Sequence, residues 1–261
     1  MRRAAHQILD DPKVLNDPIA VPIIGAAIER DDSTVSRSMR AHMVARSRYA
    51  EDQLAAAVRN GVRQYVVLGA GLDTFAYRNP FAQVRVFEVD HPATQEWKRE
   101  RLTAASIAIP PELTFVAVDF EKQELDVELP DAGFRGTEPA FFSWLGVTPY
   151  LSRVAFEGTA RFIAAMPPGS GVAFDFAVER SALSFMERMA LDELSRRVAS
   201  AGEPFQLFFD PRTLGEDLKR MGFSRVELLD RDEINARYFA NRSDKLRVRG
   251  GLGQLVSAHI F

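Results

Sequence analysis

Short apolar runs, each stopped by a glycine or a polar residue and followed by a longer stretch with helical spacing, recur along most of this chain. That alternation restricts the fold more than any other feature, because strand and helix taken in turn build a mainly parallel sheet with helices on both faces. Gln64 to Leu68 is β-branched and apolar and ends at Gly69, so it reads as a strand buried on both faces. Val84 to Val89, Thr114 to Val118, Ala140 to Trp144 and Val172 to Phe176 repeat the pattern, and Val226 to Leu229 and Gln254 to Ile260 read as the final strands.

Helices fill the intervals. Between Ser33 and Asn60 there is no proline or glycine, and Met39, Met43, Ala50, Leu54 and Ala57 fall on one helical face, with Gly61 placed to end the helix. Pro92 suits the first turn of a helix running to about Ala108. Phe156 to Met166, Val178 to Ala201 and Pro211 to Met221 read as further helices, while Asp230 to Arg249 is polar, Arg-rich and without regular periodicity.

Composition narrows the function. With 46% hydrophobic and 26% charged residues over 261 positions, the chain is an ordinary globular one. A formal charge of -3 gives no positive field to attract nucleic acid or anionic lipid, so a small-molecule partner is expected. The absence of cysteine excludes disulfides, thiolate metal sites and thiol nucleophiles. Met1-Arg2-Arg3 is not followed by the apolar core of a signal peptide, and Ala20 to Ile28 is too short to span a bilayer. A cytoplasmic protein with no membrane or obligate protein partner is therefore expected.

In open parallel sheets ligands bind beyond the carboxyl ends of the strands. Four such ends carry chemistry here. After the first strand, Gly69-Ala70-Gly71 lets the backbone turn sharply and approach a ligand, with N–H groups expected at a helix N-terminus. After the second, Asp90 stands at the spacing from Gly69 where an acid accepts from ribose hydroxyls. After the third, Asp119 can accept from an exocyclic amine beside Phe120, whose ring can cover an adenine face. The fourth is followed by Leu145-Gly146-Val147-Thr148-Pro149-Tyr150, mostly apolar with a polar tip. Each piece has a plainer explanation, a tight turn for the glycines and a helix N-cap for Asp90. Their joint occurrence at three strand ends favours an adenosine-containing cofactor.

What is missing selects among such cofactors. Thr74 occupies the place of the third glycine of dinucleotide loops, and no tyrosine has a lysine four positions later, as short-chain hydride transfer would use. A cofactor without phosphates fits better, and S-adenosyl-L-methionine is the common one. The four histidines form no metal-ligand pattern, so no metal is expected, and Gly169-Ser170-Gly171 lacks the spacing of a hydrolase elbow.

Leu68-Gly69-Ala70-Gly71-Leu72-Asp73-Thr74, Phe87-Glu88-Val89-Asp90-His91-Pro92, Val118-Asp119-Phe120 and Trp144 to Leu151 together resemble the leucine carboxyl methyltransferase family, in particular its bacterial branch of S-adenosylmethionine-dependent methyltransferases abundant in mycobacteria. The resemblance implies a Rossmann-like α/β fold with a seven-stranded, mostly parallel sheet and an antiparallel last strand. The length fits one methyltransferase domain over residues 1–261, with 1–60 expected as a helical N-terminal cap and 178–212 as a helical insert over the pocket. Carried over residue by residue, the glycine loop falls on Gly69 and Gly71, the ribose acid on Asp90 and the adenine contacts on Asp119 and Phe120. The arginine that holds the methionine carboxylate falls on Arg46, with Arg48 as its neighbouring rival. Many members have Trp-Glu-Gly where this chain has Trp144-Leu145-Gly146, so a carboxylate for the methionine ammonium is missing.

No convincing base follows the fourth strand, where Thr148 and Tyr150 are the candidates, and Tyr150 is the one catalytic candidate. An acceptor already ionised or readily so, a carboxylate or an acidic hydroxyl, is therefore expected. If a base is needed after all, His91 is the first residue to examine. Two alternatives stay open: a nicotinamide-dependent oxidoreductase using the same loop, and a cofactor-binding protein without turnover.

Overall fold

Glycine and proline place the ends of the elements, and apolar spacing decides which face each one buries. The computed structural model describes residues 1–261 other than Glu29, Glu121, Ala201 and Glu203. In chain order the elements are α1 (Arg2–Leu9), α2 (Ala20–Ile24), α3 (Thr34–Arg59), β1 (Gln64–Leu68), β2 (Arg85–Asp90), α4 (Pro92–Ala104), β3 (Leu113–Ala117), α5 (Leu125–Asp131) and β4 (Ala140–Trp144). They continue with α6 (Arg153–Ala164), β5 (Gly171–Ala177), α7 (Phe185–Ser200), α8 (Pro211–Met221), β6 (Arg225–Leu229), α9 (Arg231–Tyr238) and β7 (Gly253–His259).

The seven strands form one sheet in the order β3-β2-β1-β4-β5-β7-β6. Every pairing from β3 to β5 is parallel, and β7 runs antiparallel between β5 and β6. Side chains alternate across the sheet. Val66, Leu68, Phe142, Trp144, Phe174 and Phe176 point to the layer that holds α6 and α8, whereas Tyr65, Val67, Phe141 and Ala173 point to the layer under α3. Burial on both faces explains why β1, β4 and β5 read as continuous apolar runs.

Three expectations are corrected. The stretch from Val178 is helical only from Phe185, and its expected end at Ala201 lies outside the described residues. Glu179 N–H donates to Phe209 C=O at 2.8 Å and Phe209 N–H to Ala177 C=O at 2.9 Å, so the chain leaves β5 still extended. Helix α7 begins where Ser184 and Glu187 bond each other's amides, at 3.4 and 3.0 Å. Helix α4 stops at Ala104, because Ser106 adopts a left-handed φ of 54° and Ile107 N–H turns back to Leu102 C=O at 2.9 Å. Within the irregular stretch after Asp230, α9 forms on a capping box between Asp230 and Glu233.

Candidate functional site

Strand order reverses between β1 and β4, and at such a point the connections leave to opposite sides and open a crevice beyond the carboxyl ends. A cavity of about 440 Å³ lies there. Its floor is Val67 to Gly71, α3 supplies Met43, Arg46 and Ser47 to its wall, and Met1 to Ala4 with Ile23 and Ile24 cover it. A second cavity of about 620 Å³ adjoins it along α3, floored by β5 and closed by α7 and the segment 248–253. The two share Met43, Arg46 and Gly146.

The glycine loop is fixed from two sides. Gly69 N–H and Ala70 N–H donate to Val89 C=O at 2.8 and 3.1 Å, and Gly71 N–H donates to Asp90 Oδ2 at 2.5 Å. Gly69 has φ +65°, and a Cβ there would run into Val147, so the chain tolerates no side chain at this turn. Beyond the loop the expected helix N-terminus does not form. Phe75–Arg78 is a single 3-10 turn, because Thr74 is fully buried with its hydroxyl on Asp17 at 2.7 Å, and Arg78 is drawn onto Glu51.

Helix α1 is pinned over this loop by ion pairs. Arg3 bridges to Asp73 at 3.1 Å and Asp17 at 3.7 Å and donates to Leu72 C=O. Behind it, Asp10 accepts from His6 at 2.8 Å and from Arg40 at 2.7 and 2.9 Å, all three side chains being buried. Burial pushes the Asp10 carboxyl up, but His6 and Arg40 outweigh it and bring it down to about 2.

Arg46 reaches the junction of the two cavities, whereas its sequence rival Arg48 lies on the outer face, paired with Asp52 at 2.8 Å. The Arg46 guanidinium is 2.8 Å from Asp175 Oδ2, and Gly146 N–H donates to Asp175 Oδ1 at 2.6 Å. A Cβ on Gly146, φ +74°, would stand 2.7 Å from that guanidinium. Burial raises the Asp175 pKa, but Arg46, His42 and the Gly146 amide together hold it well below the usual carboxylate range. His42, one turn before Arg46 on α3, lies 4.0 Å from Asp175 through Nε2.

The structure therefore brings Arg46, Gly69 and Gly71 to one cavity and joins Asp90 to it through the Gly71 amide. Asp90 is not the helix cap; His91 caps α4, accepting from Ala93 N–H at 3.2 Å, and sits outside both cavities. Asp119 and Phe120 follow β3, two strands from β1, and lie outside the lining of either cavity. Asp119 is 2.8 Å from Lys122, and Phe120 packs against the core. Tyr150 lines the second cavity with its ring 5.2 Å from that of Phe205, and Leu145 lines the first. Sequence reasoning missed Asp175 and His42. Asp175 had a readable signal, a lone carboxylate inside the apolar strand β5.

The comparisons decide the family. A sequence model described as leucine carboxyl methyltransferase matches residues 1–164, which carry every element from α1 to α6. The chain belongs to the leucine carboxyl methyltransferase family. A Bacillus subtilis protein named as an S-adenosyl-L-methionine-dependent methyltransferase, YktD, is 39% identical over 209 residues, 78% of this chain and 67% of that protein. One so named from Mycolicibacterium vanbaalenii is 32% identical over 254 residues, 89% of this chain and 82% of the other.

Solved structures share the fold. A Thermobifida fusca protein described as a methyltransferase aligns with TM-score 0.59 at 18% identity, covering 100% of this chain and 94% of its own. Magnesium protoporphyrin IX methyltransferase from Synechocystis, solved with bound S-adenosylhomocysteine, gives TM-score 0.52 at 13% identity, covering 92% and 91%. Within the leucine carboxyl methyltransferase frame, the first cavity falls wholly in the matched span, while β5 and α7, which build much of the second, lie beyond it.

Proposed function

We propose that this protein moves a methyl group from S-adenosyl-L-methionine to an oxygen, a carboxylate or an acidic hydroxyl, of a small-molecule acceptor. Family membership makes it an S-adenosylmethionine-dependent methyltransferase; the oxygen and the acceptor are our reading. The observation that carries it is the meeting of the two cavities at Met43, Arg46 and Gly146, which leaves one cavity for a donor and one for an acceptor.

The residues of the first cavity suit the cofactor. Arg46 offers a cation for the methionine carboxylate, Gly69 and Gly71 bring bare backbone close, and Asp90, outside the lining but bonded to the Gly71 amide, offers a carboxylate to the ribose. Asp119 and Phe120 lie outside the lining, after β3, and would meet an adenine only if it extended beyond the cavity over the ends of β2 and β3. When bound, the cofactor supplies a methyl group activated by a sulfonium. The protein has then to orient the two reactants and keep water out, which by proximity alone accounts for much of a rate enhancement. The N-terminal helices and α7 are the elements that would close over the two ends, as cap and insert.

Nicotinamide chemistry is less well served, because the glycine loop runs into a 3-10 turn and offers no helix N-terminus to a pyrophosphate. A screen of carboxylates, phenols, alcohols and amines, read by release of S-adenosylhomocysteine and product mass, tests the proposal. O-methylated product is expected. Methylation confined to nitrogen, or no turnover by a protein that binds the cofactor, contradicts it.

A further inference from the structure

The second cavity changes character along its length. Much of its lining is apolar, from residues such as Met39, Phe176, Leu191 and Leu252, whereas the end that meets the first cavity at Arg46 also holds His42 and Asp175. Glu193, also in the lining, is held by Arg196 at 2.6 Å and Arg197 at 2.9 Å.

Of these groups only one suits a proton acceptor beside the reacting atoms. Arg46 and, farther out, Arg197 and Arg249 have no lone pair to offer. Asp175 is committed to Gly146 N–H and Arg46. Tyr150 is a poor base when neutral, and the Thr148 hydroxyl donates to Asp175 C=O at 2.7 Å. His42 remains. Its imidazole lies against Gly253 of β7, where a Cβ would come within 3.1 Å of Cε1 and Nε2, so the absence of a side chain there makes its room.

Charge decides which acceptor this end can take. Arg46 already faces Asp175 and, on the reading above, the methionine carboxylate. An acceptor carboxylate would be a third anion on one guanidinium, beside a buried Asp175. A neutral hydroxyl meets no such repulsion, and an imidazolium formed by taking its proton would face Asp175 at 4.0 Å.

Resting on that reading of the site, we propose that His42 takes the proton from the acceptor, held for this by Asp175, and that the reacting group is a phenolic or enolic hydroxyl rather than a carboxylate. The O–H bond breaks and its proton passes to the imidazole. The electron pair left on oxygen forms the bond to the methyl carbon, and the carbon–sulfur pair departs with sulfur as the thioether.

The test uses 4-nitrophenol, whose absorbance reports its ionisation, added to the protein with S-adenosylhomocysteine at a pH below the phenol's own ionisation. Wild type is expected to bind it as the phenolate and His42→Gln as the neutral phenol, with melts confirming that the variant is folded. In turnover, His42→Gln should lose about 100-fold or more on 4-methylphenol, the low end of the range for a lost general base, and only about fivefold on 4-nitrophenol once ionised. A phenol bound neutral by wild type, ionised equally by His42→Gln, or not bound at all by protein that binds S-adenosylhomocysteine overturns the inference alone. Failure to bind S-adenosylhomocysteine overturns the cofactor reading beneath it.

Discussion

The amide of Gly71 donates to the carboxylate of Asp90 at 2.5 Å, so the acid that ends β2 holds the loop after β1. Its other oxygen accepts from His91 N–H at 2.7 Å. Asp90→Ala removes both anchors and, on the proposed function, the ribose partner with them. S-adenosylhomocysteine affinity should fall about 10- to 100-fold, given roughly 1.5–3 kcal/mol for a bond to a charged group, while the melting temperature moves little. Calorimetry beside a thermal melt checks this, and an unchanged affinity in folded protein would remove Asp90 from the site.

Gly146→Ala should act on Arg46 at a distance in sequence. The added Cβ meets the guanidinium at 2.7 Å and the left-handed backbone resists it, so Arg46 is displaced from Asp175. Affinity for S-adenosylhomocysteine should fall about tenfold, one charge-assisted bond's worth, with 5'-methylthioadenosine, which lacks the amino-acid tail, unaffected. Equal losses for both ligands would mean that Arg46 does not read the methionine carboxylate.

Leu145→Glu places a carboxylate in the first cavity, where Leu145 lines the wall. Binding of S-adenosylhomocysteine should tighten about threefold to tenfold through its ammonium, again without gain for 5'-methylthioadenosine. Weaker binding of both would show that Leu145 is required for packing.

Much of the scaffold was legible because local rules agree with tertiary burial. The ends of β1 and β4 fall where the sequence puts them, each apolar run being stopped by a glycine or by the residue before one. The start of α7 and all of α9 were missed, although Ser184 with Glu187 and Asp230 with Glu233 spell capping pairs. At the inner end of the second cavity Arg46 was legible and Asp175 left a signal, but the meeting of Asp175 with His42 was not legible. His42 and Asp175 are separated by most of the sheet in sequence, and only packing of α3 across β5 sets them 4.0 Å apart. Asp119 and Phe120 illustrate the converse, residues with the right spacing that the fold leaves outside the cavity lining.

Stability should carry the mark of a buried pair on β2 and α4. Glu88 Oε2 lies 2.7 Å from Lys98 Nζ, and beyond each other neither side chain has a hydrogen-bond partner among the described residues. Burial pushes the Glu88 carboxyl from its ordinary 4.5 up to about 7, although Lys98 pulls it the other way. The folded state thus holds a proton that the unfolded state releases, and this contribution, full below about pH 4.5, is lost as pH rises through about 7. Between pH 5 and pH 8 the wild-type melting temperature should drop relative to that of Glu88→Gln/Lys98→Met by about 5–10 °C, at roughly 2–4 °C per kcal/mol. Parallel pH dependence in the two proteins would assign the effect elsewhere.

The central claim, that the crevice between β1 and β4 binds S-adenosyl-L-methionine, is tested most directly by titrating the purified protein with S-adenosylhomocysteine and with NADH in the same calorimeter. The account predicts saturable one-site binding of S-adenosylhomocysteine, weakened in Arg46→Ala and in Asp90→Ala, and no comparable heat from NADH. Binding of NADH in preference, or S-adenosylhomocysteine binding indifferent to both substitutions, would contradict it.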